Sequence, residues 1–142
     1  MAPVSPADAA ARARAALGLA HDVCFEAHRV RRLDGGEEYW LVSFGEPEAT
    51  LGVAAVAAGS GEVLSSALLP GRGPHLAVSG ERARALARAP AAATVELAWR
   101  PSPASRSPLS PFWEVEGAAG RAWVDVRGKL WRTPPWEAET RG

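Results

Sequence analysis

The stretch that most restricts this chain runs from Tyr39 to Leu64. Tyr39-Trp40-Leu41-Val42-Ser43-Phe44 alternates, with Trp40, Val42 and Phe44 on one side and Tyr39, Leu41 and Ser43 on the other, the period of a strand. Gly45-Glu46-Pro47-Glu48 breaks it. An apolar run from Leu51 to Ala58 follows, and Gly59-Ser60-Gly61 turns it into a further extended segment, Glu62 to Leu69. Glycine accepts positive φ freely, so such a turn folds the chain back on itself. A second Trp-x-Val strand begins 73 residues after Trp40, at Trp113-Glu114-Val115. Val56 to Val63 then aligns with Val124 to Leu130, with one residue fewer in the later copy.

The flanking segments extend the parallel. Ser5-Pro6-Ala7-Asp8 carries a cap, a first-turn proline and an early acid, and predicts a helix to Leu17 with Gly18 as its stop. Ser79 predicts a second helix over Glu81 to Ala89, stopped by Pro90. Strands are expected over Asp22 to Leu33, before an Asp34-Gly35-Gly36 hairpin turn, and over Thr94 to Trp99, Phe112 to Glu116, Arg121 to Val126 and Leu130-Trp131. Pro70-Gly71-Arg72-Gly73-Pro74 is the clearest boundary. The reading is therefore α+β: two tandem helix-plus-antiparallel-meander repeats, 1–72 and 73–142, each helix packed on a curved sheet, together forming one compact unit.

The aromatic strand leading to a glycine turn and a Val-Asp-x-x-polar-Gly-x-Val type pattern resembles bacterial PepSY and cystatin-like modules. Asp125 keeps the acid of that pattern, whereas Ala57 stands at the corresponding place in the first copy. The layout is also similar to that of bacterial toxin-immunity proteins. These resemblances imply protein binding or inhibition rather than catalysis, and they carry no catalytic residues over. The glutamine-containing hairpin of true cystatins is absent from the sequence.

Composition narrows the function classes. Sixteen basic and sixteen acidic residues cancel, so no overall field recruits nucleic acid or an anionic membrane. No run approaches the roughly 18 apolar residues of a membrane span, and the N-terminus lacks the basic-then-apolar order of a signal peptide. Cys24 is the sole cysteine, which points to a reducing, cytoplasmic setting. On a strand, Cys24 and His28 stand about 13 Å apart at about 3.3 Å per residue, too far to share a metal ion. No nucleophile elbow, dinucleotide loop or phosphate-binding Gly-Lys-Ser/Thr motif occurs. No catalytic, metal or cofactor residue is assigned.

Six tryptophans exceed what a core of this size needs. Trp40, Trp99 and Trp113 have core-facing phase. Trp123 falls out of phase with Ala122, Val124 and Val126, and Trp131 and Trp136 lie near Arg127, Arg132 and prolines. Aromatic residues beside arginine are the composition of interface hot spots. The expected function is a non-catalytic protein-binding module, an inhibitor or immunity-type partner of another protein. Trp123, Trp131, Trp136, Arg127, Arg132 and Arg106 are its contact candidates, together with the 100–111 loop. One alternative is a small-molecule binder or enzyme using Glu114, Glu116, Asp125 and His75 in a cleft between the repeats. Another is a self-assembling protein whose exposed strand edges pair between copies.

Overall fold

The computed structural model describes residues 3–46, 48–71, 73–76, 78–102, 105–118 and 120–137. Pro47 of the expected strand break, Arg72 at the expected junction, Pro103 in the expected contact loop and Ala119 in the expected turn before Arg121 lie outside the described residues. Helix α1 spans Pro6–Leu17. The strands β1 (Phe25–Arg32), β2 (Tyr39–Glu46), β3 (Ala49–Ala57) and β4 (Val63–Leu68) follow it. Helix α2 spans Gly80–Leu86, and β5 (Thr94–Trp99), β6 (Phe112–Gly117), β7 (Gly120–Val124) and β8 (Leu130–Trp131) complete the chain. The helix starts obey the cap rule, since Ser5 Oγ accepts from Asp8 N and Ser79 Oγ accepts from Arg82 N, each at 3.1 Å.

The expected architecture of two tandem helix-plus-antiparallel-meander repeats, each helix packed on a curved sheet, is corrected by the sheet itself. All eight strands belong to one mixed sheet in the order β4-β3-β2-β1-β5-β6-β7-β8. The helices are short, 12 and 7 residues, and the fold is dominated by the sheet. The seam is a parallel pairing of β1 with β5, Val30 opposite Leu97 and Arg32 opposite Trp99, extended by Leu33 N donating to Trp99 O at 2.9 Å. Each strand would otherwise leave a row of backbone donors and acceptors unpaired, so joining the edges satisfies both.

Alternating residues of the sheet feed two cores. Ala9, Ala10 and Ala13 of α1 pack with Val42, Phe44, Ala54 and Val56. Ala83 and Ala87, in and just after α2, join the cluster of Tyr39, Leu41, Val53, Ala55, Leu97, Trp113, Val115 and Val124. Since Leu41 and Val42 point to opposite faces, the helices lie on opposite faces. Helix α1 covers β1 to β4, and α2 covers β5 and β6. Each helix therefore leaves the other half of its face without a helix.

Local correspondences do recur. Trp40 Nε1 donates to Val4 O at 2.9 Å, and Trp113 Nε1 donates to Val78 O at 2.8 Å. Each acceptor immediately precedes the serine that caps a helix. The two glycine turns share a bond pattern: Ala57 N to Glu62 O and Gly61 N to Ala57 O, then Asp125 N to Lys129 O and Gly128 N to Asp125 O. Gly61 and Gly128 sit at φ 76° and 97°, where a side chain would be strained. Asp125 adds a turn-side role, its Oδ1 accepting from Arg127 N and Lys129 N at 2.9 Å each.

The β1–β2 hairpin carries a pH-sensitive clamp. Arg32 Nε and Nη2 reach Asp34 Oδ1 and Oδ2 at 2.9 and 2.6 Å, and its guanidinium lies 4.9 Å from the centre of the Trp99 ring. The Arg32 hydrogen bond, helped by Gly36 N, lowers the Asp34 carboxyl from 3.8 to about 2. A folded-state value below the unfolded one means the contribution is complete above pH of about 4 and is lost as pH falls toward 2. The pair is partly open to solvent, so the expected size is about 1 kcal/mol or less. Stability measured by urea unfolding should fall across that window in the wild type and fall less steeply in Asp34→Asn; equal slopes would discount the clamp.

Candidate protein-binding face

The half-face left uncovered by α2's position is built from β5 to β8. Register places Glu96 opposite Glu114, Glu114 opposite Trp123, and Trp123 opposite Trp131, one row across four strands on one side of the sheet. The next row holds Thr94, Glu116 and Arg121. Trp113 and Val115 alternate to the α2 side.

Two carboxylates face each other in the first row, and Arg31 of β1 resolves the repulsion. Its Nη2 makes a short ion pair with Glu114 Oε1, and its Nε lies 3.8 Å from Glu96 Oε2. Glu114 Oε2 accepts from Trp123 Nε1 at 3.0 Å. Glu114 is consequently 7% exposed, a held group rather than the solvated carboxylate that an open strand face suggests. Glu116 pairs with Arg121 at 3.4 Å in the open.

An aromatic wall closes one side. Trp136 packs edge-on against Trp123 at 5.7 Å and Phe112 at 6.4 Å, with the Arg100 guanidinium 5.6 Å from its ring centre. Lys129 Nζ lies 4.1 Å from the centre of Trp131. The Nε1 of Trp131 and Nε of Arg100 are covered and have no hydrogen-bond partner among the described residues. Trp123 is 5% exposed, while Trp131 and Trp136 are half-buried.

Three of the six expected contact residues thus come together, Trp123, Trp131 and Trp136. The expected arginines do not join them. Arg132 donates to Ala87 O at 3.1 Å, satisfying a carbonyl at the end of α2. Arg127 is exposed in the β7–β8 turn, beside the 69–75 connection. Arg106 is exposed on the 100–111 loop, which is itself anchored inward. Tyr39 Oη donates to Pro108 O at 2.7 Å, and Trp99 Nε1 donates to Ser105 Oγ at 3.1 Å. Burial pushes the Tyr39 phenol far above its ordinary range, so it stays a donor. The cations over these indoles are instead Arg100 and Lys129, while Arg31 and Arg121 reach the two rows through Glu114 and Glu116. Of these, Arg121 could have been found from the Gly117–Gly120 turn, which sets it opposite Glu116.

The alternative set does not converge. Glu114 and Glu116 lie on the face away from Trp113, Asp125 is consumed in a turn, and His75 sits on the Trp113 side. His75 instead lines a cleft of about 340 Å³ between β1, β2, the 74–80 connection and Trp113, with Glu26, His28, Glu46 and Glu48. Its His75 Nε2 contacts the Leu109 carbonyl, and His28 lies 3.6 Å from Glu26. Three carboxylates without a lining Lys or Arg would favour a cation over an anion. Among the described residues no group of three or more His, Cys, Asp or Glu is placed to hold a metal ion, and no helix is long and apolar enough to cross a membrane. The chain gives no significant match to a protein-family model, a curated protein or a solved structure.

Proposed function

We propose that this chain is a non-catalytic protein-binding module, an inhibitor or immunity-type partner that engages another protein through the helix-free face of β5–β8. The observation that carries the reading is the accessible margin of this row: half-buried Trp131 and Trp136, the latter packed on buried Trp123, with exposed Glu96 and Arg121 on the same face. Indoles held rigid by packing, with both signs of charge around them, match the anchors and polar rim of protein interfaces. Only the short motifs shared with PepSY, cystatin-like and toxin-immunity modules, the Trp-x-Val strand and the glycine turn, remain in keeping with the same class; the tandem layout does not. Exposed Cys24, the only thiol, is in keeping with a cytoplasmic setting.

The test is capture from a lysate of the native cell, followed by charge reversal. Glu96→Lys and Arg121→Glu lie at exposed rim positions and should each lower capture of the same protein by about tenfold, mainly through the association rate. Glu48→Lys, exposed beyond β2, should leave capture unchanged. Capture indifferent to both rim reversals would remove this face from consideration.

A further inference from the structure

The two ends of the sheet are treated differently by the sequence. Edge strand β8 has two residues and is bounded by Lys129, Arg132 and Pro134-Pro135, the usual means of blunting an edge. Edge strand β4 has six, Val63-Leu64-Ser65-Ser66-Ala67-Leu68, with no charge and no proline. Leu64, Ser66 and Leu68 are exposed, and Leu68 is 66% so. Leu69 N donates inward to Leu51 O at 2.8 Å. By alternation Ala67 and Ser65 also face β3, and Ser66 and Leu68 turn their N–H and C=O outward.

We propose that two copies of this chain pair through β4, antiparallel about a two-fold axis at Ser66. A two-fold normal to the sheet keeps each face on its own side, so it requires residues of the same parity to meet. Centred on Ser66, the register sets Ser66 against the partner's Ser66 and Ala67 against the partner's Ser65, and it brings Leu68 alongside the partner's Leu64, the residue that the register shift beside Val63 leaves unpaired. The outward N–H and C=O of Ser66 then match those of the partner's Ser66, and the exposed Leu68 gains an apolar neighbour across the axis. A foreign strand would have to supply that pattern, whereas a second copy has it already. No like charges within the strand oppose the approach. A six-residue edge lies below the roughly 1,200–2,000 Å² of a standard interface, so the dimer is concentration-dependent. This surface lies at the far end of the sheet from the proposed partner face, and either can fail without the other.

Sedimentation equilibrium on the full chain, from low micromolar to millimolar, should show the mass rising from monomer to twice that value. Leu68→Lys, at an exposed side chain, and Ser66→Pro, which removes an outward N–H, should each weaken association by about tenfold or more. In a Cys24→Ser background, Ser66→Cys should cross-link under copper–phenanthroline oxidation. Its Cα separation of about 5.5 Å in this register lies within the roughly 4.4–6.8 Å that a disulfide spans. Ser65→Cys, on the other face, should not. A monomer at every concentration, association indifferent to Leu68→Lys, or equal cross-linking of both cysteines would overturn the proposal. So would a monomer that captures a different protein through β4.

Discussion

Trp113→Ala should lower the free energy of unfolding by about 3–5 kcal/mol, the range for deleting a buried indole. Trp113 is 9% exposed and fills the space between the sheet and the entry to α2. A Cβ on Gly80 would come within 3.2 Å of its Cζ3 atom, so the start of α2 runs close beside the ring with little room for a side chain. Truncation opens a cavity there and leaves Val78 O without its 2.8 Å donor. Trp113→Phe separates the two effects. It keeps most of the apolar ring and loses the hydrogen bond, and should cost about 1–2 kcal/mol. Trp40 supplies the comparison, because its indole holds Val4 O in the same way at 2.9 Å. It is only half-buried, with the Arg29 guanidinium 5.2 Å from the ring centre. If burial sets the scale, Trp40→Ala should cost less than Trp113→Ala by at least about 1 kcal/mol. Urea unfolding of the four proteins decides it. A Trp40→Ala loss equal to that of Trp113→Ala would mean that the hydrogen bond to the helix entry outweighs buried area.

The correspondence of Trp40 with Trp113 was readable because the pattern around each is local; the hydrogen bond each makes to a carbonyl 36 or 35 residues earlier was not. A Trp-x-Val strand, a glycine turn and a serine-capped helix each follow from short-range rules, and the Val56/Val124 alignment reappears in the hydrogen bonds of both turns. The seam was not readable. Alternation in β1 and β5 reports which side of each strand is apolar, and it is silent on which strand lies along the second edge. The parallel pairing of Val30 with Leu97 is therefore a tertiary outcome, and it joins the two halves in one sheet, a point the repeat pattern left open. The site shows the same limit. Phase put Trp123 outside the core correctly as to face, since it points away from Ala122 and Val124. It is covered nonetheless, because Trp136 returns over it, and a return of the chain leaves no mark in the period of a strand. The 100–111 loop, rich in proline and serine, suggested an outward contact surface. It is drawn inward because the buried Tyr39 hydroxyl and Trp99 indole each require an acceptor.

Arg31→Met should cost about 2–3 kcal/mol and should be rescued in large part by Glu114→Gln. Breaking a buried ion pair from one side leaves the other charge uncompensated, at about 3–5 kcal/mol. Arg31 is itself partly exposed, with 44% of its side chain accessible, so solvent screening brings the expected cost below that range. The loss is concentrated on Glu114, which would keep only Trp123 Nε1 as a described side-chain donor, with the Glu96 carboxylate directly opposite. A neutral amide at position 114 removes both the buried charge and that repulsion, and its oxygen still accepts from the indole. The double variant should therefore be more stable than Arg31→Met alone, with a coupling of about 1–2 kcal/mol between the sites. Additive losses would mean that Arg31 contributes through its aliphatic stem rather than its charge. Fluorescence of the Trp123 cluster gives an independent reading, since Glu114 fixes that indole: its emission should shift in Arg31→Met and return toward wild type in the double variant. Because the same carboxylate orders the row proposed to meet a partner, capture should fall with Arg31→Met even at temperatures where the chain stays folded.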